Sequence, residues 1–267
     1  MIYHYTNIET LALILDQGKI RFNRLDQVDD ILESSEFKRF NFSKYLFVSC
    51  WTENPEDDIA LWTMYSRNMK GVRIGFDRLP FKMKRVNKSS THIPIEVTGE
   101  RELPLTIDEC FHTDYFIVPL FMDEKQFYKK IQYLDDFELK QRYDLMVEKV
   151  KNQDGTYSIS AKTEDFAKIK HKRWTFQEET RFVLLIVPPI KIQDISNAID
   201  QIVSGVPLNI TYFDMDLDKS ILQEMAITIG PNCSQADKLI VESLRTKYCL
   251  KNEVKDSELT KIIRFKK

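Results

Sequence analysis

The chain has 267 residues, 43% of them hydrophobic and 30% charged, with 39 Lys+Arg against 41 Asp+Glu. This composition can bury a sizeable core, which excludes wholesale disorder. A net charge of −2 excludes coating of nucleic acid or anionic membrane by bulk charge, though not a local basic groove.

In chain order, residues 2–5 read as a short strand. Thr6-Asn7-Ile8-Glu9 fits a capping box for a helix with apolar Ile8, Leu11, Leu13, Ile14 and Leu15, and Gly18 stands where a left-handed residue would stop it. A strand over 19–22 follows, then an acidic segment with Asp26, Asp29, Asp30 and Glu33. Residues 45–51 read as a buried strand, 57–67 as a helix and 71–76 as another strand. Residues 123–151 read as one long helix, 153–156 as a turn, and 160–172 as a second helix. Residues 174–187 read as extended, ending at Pro188-Pro189. The last third offers a strand at 226–229, a turn at 230–232, a helix over 234–248 and a terminal strand near 262–265. These elements make a single α+β domain over 1–267, with a helical insertion at about 104–172 splitting a sheet-based core.

Cys50, Cys110, Cys233 and Cys249 are scattered without metal-ligand spacing, and read as buried thiols in a reducing compartment. Only 7 residues are glycine, and neither G-x-G-x-x-G nor a P-loop is present. No H-E-x-x-H or G-x-S-x-G appears either, so no metal site is expected. The opening residues lack a basic region followed by an apolar stretch, and the longest apolar run, 182–187, falls far short of the ~20 residues of a membrane helix. A cytoplasmic protein without membrane contact is the expectation.

Four features carry potential chemistry. His4 ends the first strand beside a helix start, where it could meet a sugar hydroxyl or bond to backbone. Gln177, Glu179 and Arg181 alternate onto one face at the start of a core strand, either as a site or as charge partners at a sheet edge. Leu61, Trp62 and Tyr65 sit a helical turn apart, able to line a pocket for a flat ring or to pack against Phe47 and Trp51. Two basic runs, Lys168, Lys170, His171, Lys172, Arg173 and Lys82, Lys84, Arg85, Lys88, could contact phosphates or form solvated faces.

Together, Tyr3-His4-Tyr5-Thr6, Gly18, Arg21-Phe22, Asp29-Asp30, Glu33 and Ser49-Cys50-Trp51-Thr52-Glu53 resemble a widespread bacterial family of unknown function. The likeness continues through Leu61-Trp62, Tyr65, Gly71 to Asp77, Trp174, Glu179, Arg181 and Gly230-Pro231. That family in turn resembles ADP-ribosyltransferases, with a split mixed β-sheet core, a first-strand His, an aromatic against nicotinamide, and a late Glu preceded two residues earlier by Gln or Glu. The resemblance implies NAD as substrate. It casts Glu179 as the catalytic carboxylate, His4 as the group fixing the dinucleotide, and Gln177 as the residue orienting the acceptor. Tyr65 or Trp62 would face nicotinamide, with Tyr5 competing; Tyr5 and Thr6 flank His4 in the binding segment. Arg21 or Arg73 would hold the pyrophosphate, and Ser49 would support Glu179.

Breaking the nicotinamide–ribose bond passes through an oxocarbenium-like state, which a carboxylate stabilises as charge develops. The leading expectation is an ADP-ribosyltransferase-like enzyme, a toxin or phage-defence effector, modifying a protein or nucleic-acid acceptor. A non-catalytic nucleotide- or nucleic-acid-binding module is the alternative, and a purely structural domain the third. The enzyme reading requires His4 and Glu179 to face one cleft. Strand 2–5 is therefore expected beside strand 181–187, and side chains on opposite sheet faces would defeat the catalytic reading.

Overall fold

A computed structural model describes residues 1–35, 42–87, 99–153, 157–190, 201–202 and 204–263. The elements run β1 (Ile2–Thr6), α1 (Ile8–Gln17), β2 (Lys19–Arg24), α2 (Leu32–Ser35), β3 (Leu46–Thr52), α3 (Ile59–Tyr65) and β4 (Val72–Phe76). Next come β5 (Lys84–Val86), β6 (Arg101–Leu103), α4 (Ile107–Cys110), β7 (Phe116–Val118), α5 (Glu124–Phe127), β8 (Tyr128–Lys130) and β9 (Gln132–Leu134). The chain continues through α6 (Asp136–Met146), β10 (Val147–Lys151), β11 (Tyr157–Ala161), β12 (Ile169–His171) and the long β13 (Glu179–Val187). It closes with β14 (Tyr212–Asp216), α7 (Lys219–Gln223), β15 (Ala226–Ile229), α8 (Gln235–Lys247) and β16 (Val254–Asp256).

The α+β reading holds: ten strands form one mixed sheet, antiparallel except where β15 meets β16. Its path is β14-β2-β3-β1-β4-β15-β16, while β13 lies along β3 and carries β7 and β8 on its far edge. Every residue of β13 is buried, as its apolar run demands of a strand covered on both faces. Phe182 anchors the core, with its ring centroid 4.7 Å from that of Phe81 and 5.3 Å from that of Phe127. Burying one such side chain stabilises by roughly 1.5–3 kcal/mol.

One feature of the topology positions the site. β13 occupies one edge of β3 from Leu46 to Thr52. The opposite edge is shared, because β2 pairs with Phe47 and Val48 while β1 pairs with Thr52. β1 and β2 therefore diverge like the arms of a fork. Between them the edge of β3 at Ser49, Cys50 and Trp51 faces a gap instead of a strand.

Several local expectations need correction. Asn7, not Thr6, caps α1, its side chain accepting from the Thr10 N–H, while Thr6 stays in β1. Gly18 does stop α1, with φ 63° and its N–H on the Ile14 carbonyl. The supposed long helix over 123–151 is broken into α5, β8, β9, α6 and β10. Tertiary pairing decides this: Tyr128 to Lys130 complete the edge of β13 beside Thr180 to Phe182. Where α6 does form, Phe137 and Leu145 stay exposed, so the apolar positions there did not mark one buried helical face. Residues 160–172 are likewise not a helix but the end of β11, a short 3-10 turn and β12. The insertion over 104–172 is thus mixed, and its strands β7 and β8 belong to the main sheet. The extended segment read at 174–187 begins as a 3-10 turn over Lys172–Gln177. Near the C-terminus the strand is β16, followed by a 3-10 turn; residues 264–265 of the expected terminal strand, and 154–156 of the expected turn, lie outside the described residues.

Candidate functional site

A cavity of about 240 Å³ opens at the fork. Its walls include His4, Tyr5, Arg21, Ser49, Tyr65, Gln177 and Glu179, seven positions singled out from the sequence. Tyr3, Asn23, Gln27, Asp29, Cys50 and Trp51 join them.

The pairing expected for His4 and Glu179 is overturned, because β3 lies between β1 and β13. Tyr3, Thr52 and Glu179 stand in one cross-strand row and so share a face, which assigns His4 by alternation to the other. His4 borders the cavity because it stands at the fork, where its Nδ1 bonds the Cys50 carbonyl at 2.8 Å and its ring lies 5.1 Å from that of Trp51. With Cys50 O as acceptor, Nδ1 is the protonated nitrogen. Burial lowers the pKa of this imidazole, opposed by the carbonyl bond, and favours the neutral form. His4 is therefore a fixed wall that closes the unpaired edge of β3. The two residues meet at one cavity but not on one face.

Glu179 sits in a buried charge cluster. Arg181 Nε and Nη2 donate to its two oxygens at 2.6 and 3.1 Å, and Lys170 Nζ donates at 3.2 Å. An ionised carboxylate has about four acceptor positions, and these donors fill three of them. Burial raises the Glu179 pKa, but Arg181 and Lys170 outweigh it and hold the group at about 2. Arg181, wholly buried, turns its other edge to Glu33, with Nη1 and Nη2 donating at 2.5 and 2.8 Å. Lys170 also faces Glu33 at 3.4 Å and Asp29 at 3.9 Å. Three carboxylates thus surround two cations, leaving one negative charge uncancelled beside the cavity. Glu179 and Arg181 are thus charge partners, but side by side on an interior strand and not across strands at a sheet edge.

A polar bridge crosses the cavity wall above this cluster. The Tyr65 hydroxyl donates to Asp29 and accepts from Gln177 Nε2, while Lys170 donates to Gln177 Oε1 at 2.7 Å. Burial, followed by the Asp29 carboxylate, pushes the Tyr65 hydroxyl far above its usual range and keeps it protonated. Gln177 closes the 3-10 turn rather than opening the strand, and Glu178 after it takes φ 41° to turn the chain into β13.

The other sequence candidates divide. Arg21 stands at the cavity with its guanidinium 3.6 Å over the Tyr212 ring, and Asp214 engages its Nε and Nη2. Ser49 is buried and accepts from the Trp51 indole at 3.0 Å; its hydrogen bond is to Trp51, not to Glu179. Thr6, Trp62 and Arg73 do not line the cavity. Trp62 packs edge-on to Tyr5 in a small cluster with Leu61, Met69 and Leu259, and Arg73 is tied to Asp57 and to the carbonyls of Pro55 and Glu56. Sequence reasoning missed Lys170 as a partner of Glu179 and Glu33 as a partner of Arg181. The signal for Lys170 was a lysine between apolar Ile169 and a buried His171; for Glu33 there was only its place in an acidic run.

Among the described residues, no three His, Cys, Asp or Glu side chains are grouped to hold a metal ion, and no helix is long and apolar enough to cross a membrane. Searches of the curated proteins and of the solved structures returned no match. Residues 61–182, the stretch that carries Leu61-Trp62, Tyr65, Trp174, Glu179 and Arg181, match the model of a family described as "Protein of unknown function (DUF2971)".

Proposed function

We propose that the fork cavity is a nucleotide-binding site that takes NAD by its nicotinamide–riboside end. One observation carries the reading: seven residues spread from His4 to Glu179, chosen for that ligand class, converge on a single cavity. Its volume is below the roughly 300–1,000 Å³ of sites for drug-sized ligands, so only part of a dinucleotide would enter. Tyr3, Tyr5 and Tyr65 offer aromatic walls with polar tips, and Asn23, Gln27 and Gln177 offer amides to a carboxamide. The uncancelled negative charge favours a cationic ring over a neutral one. Arg21 at the cavity wall, with Nη1 still unassigned, suits a phosphate.

The opposite faces of His4 and Glu179 defeat ADP-ribosyl transfer with His4 as a catalytic partner; transfer by Glu179 without His4 is the second reading, favoured by a carboxylate fixed in its ionised form two residues after Gln177. In it, the C1′–nitrogen bond breaks with its electron pair leaving on nicotinamide, and an acceptor hydroxyl or amine of a protein or nucleic acid bonds C1′ and releases its proton to solvent. Glu179 would stabilise the oxocarbenium-like state. Binding without transfer stands ahead because His4 belongs to the other face and three of the four acceptor positions of Glu179 are taken by Arg181 and Lys170. Calorimetric titration with NAD, paired with an assay for released nicotinamide, tests both. Saturable binding without release supports the binding site, binding with release in the presence of acceptor supports transfer, and neither refutes both.

A further inference from the structure

The 3-10 turn that brings Gln177 to the cavity also carries an aromatic ledge. Trp174 and Phe176 lie with ring centroids 5.9 Å apart, and Phe176 is 38% exposed. Lys172 and Arg173 precede them on the same turn, both exposed, and Lys168 lies four residues upstream, a span of about 13 Å in extended chain. Among the described residues, none of these three cations pairs with a carboxylate. Asp135 is the acid whose field Lys172 reaches, and Asp136 is engaged by His171 at 3.0 Å. In the other basic run Lys84 is paired with Glu109 and Arg85 with Glu102, Lys82 is exposed without a carboxylate partner among the described residues, and Lys88 lies outside them.

Lys168 also lines a second hollow of about 420 Å³ with Lys125, Tyr128, Lys129 and Lys130. Burial, with the neighbouring Lys168 charge, pushes the Lys129 ammonium down to about 8. Lys130 has Glu53 at 3.5 Å, while Lys125 and Lys168 have no such partner among the described residues. Four lysines therefore gather around this hollow, with Glu53, Asp123, Glu164 and Asp165 as the nearby acids.

We propose that this surface docks single-stranded nucleic acid, with bases stacking on Trp174 and Phe176 and backbone phosphates meeting Lys168, Lys172 and Arg173. An exposed Phe176 beside a half-buried Trp174, whose ring already carries Lys170 Nζ at 4.6 Å, flanked by cations without carboxylate partners, is a combination that holds unpaired strands without sequence preference. A duplex, with its bases already stacked inside, cannot use the ledge. This surface does not depend on the nucleotide reading of the fork cavity, although a strand bound here runs toward Gln177 at its mouth.

The test is fluorescence anisotropy of labelled 12-nucleotide RNA and DNA strands of mixed sequence, with a duplex of equal length and polyglutamate as comparisons. Three phosphate contacts give a slope of about −2 for log affinity against log salt, or roughly fifteenfold weakening between 50 and 200 mM. Phe176→Ala and Trp174→Ala should each weaken binding about tenfold. The doubly substituted K172A/R173A should flatten the slope to about −0.7; being exposed, these positions remain informative even where Trp174→Ala melts. NAD titration of Phe176→Ala and K172A/R173A should be unchanged, which separates failure of this surface from failure of the cavity; Trp174 is left out of this control because its ring packs on Lys170. No saturation by either strand at 50 mM salt, equal binding by duplex or polyglutamate, or wild-type affinity in Phe176→Ala together with K172A/R173A would overturn the proposal.

Discussion

Glu179→Gln is the substitution whose outcome the cluster geometry fixes most tightly. The wild-type carboxylate accepts from Arg181 twice and from Lys170 once. Glutamine keeps one carbonyl oxygen and turns an NH2 group toward the remaining cationic donors. The surviving charges, Asp29 and Glu33 against Lys170 and Arg181, balance, so no lone buried ion remains. The loss is of charge-assisted hydrogen bonds, each worth about 1.5–3 kcal/mol, and a net cost of about 3 kcal/mol follows. For a chain of 267 residues this lowers Tm by about 6–12 °C at pH 7. The acid dependence has a definite sign. Glu179 has a pKa of about 2 folded against 4.5 unperturbed, so its stabilisation is present above about 4.5 and lost as pH falls through about 2. This span also corresponds to ~3 kcal/mol, from 1.36 kcal/mol per unit. Calorimetric melting of wild type and variant should therefore differ most at neutral pH and converge toward pH 2. Exposed Glu178→Gln should stay within about 0.5 kcal/mol of wild type. A Tm change under 2 °C for Glu179→Gln at pH 7 would refute the cluster as a stabilising unit.

Three further outcomes follow from the geometry. A Cβ at Gly71 would lie 2.1 Å from the Thr6 carbonyl oxygen, so Gly71→Ala should part β1 from β4 and cost at least ~2 kcal/mol in urea unfolding. Gly18→Ala meets nothing within 4 Å and bears only its φ of 63°, so about 1–2 kcal/mol is expected, and equal costs at the two glycines would contradict the close-approach argument. Tyr65→Phe leaves the buried Gln177 amide without its acceptor, lowering stability by about 1–3 kcal/mol while retaining the aromatic wall and hence most NAD affinity; loss of binding with unchanged melting would be the contrary result.

Elements with local cues were legible. The helix stop at Gly18, the buried strands at 46–52 and 179–187, and the helix capped by Ser234 rest on short-range chemistry that survives folding. The long helix imagined over 123–151 failed because edge pairing with β13 outweighed the local pattern; Asp123 caps the four-residue α5, and Asp135 starts α6 afresh by accepting from the Phe137 and Glu138 N–H groups. Within the site, His4, Tyr65, Gln177 and Glu179 could be chosen in advance since polarity at the ends of core elements demands partners. The identity of those partners could not. Arg181 lies 148 positions from Glu33, and only the sheet fork brings the acidic segment after β2 beneath the cavity. Trp62 and Tyr65 looked equivalent in sequence, yet helix phase sends Trp62 into the apolar cluster and Tyr65 to the cavity.

Isothermal titration of NAD into wild-type protein and Tyr65→Ala tests the central claim most directly. Tyr65 supplies both an aromatic wall of the cavity and the hydroxyl that positions Gln177, so its removal should cost at least about tenfold in affinity. Wild type should show saturable one-site binding, and the variant should bind at least tenfold more weakly. No saturation by wild type at millimolar NAD, or equal affinity in the two proteins, would contradict it.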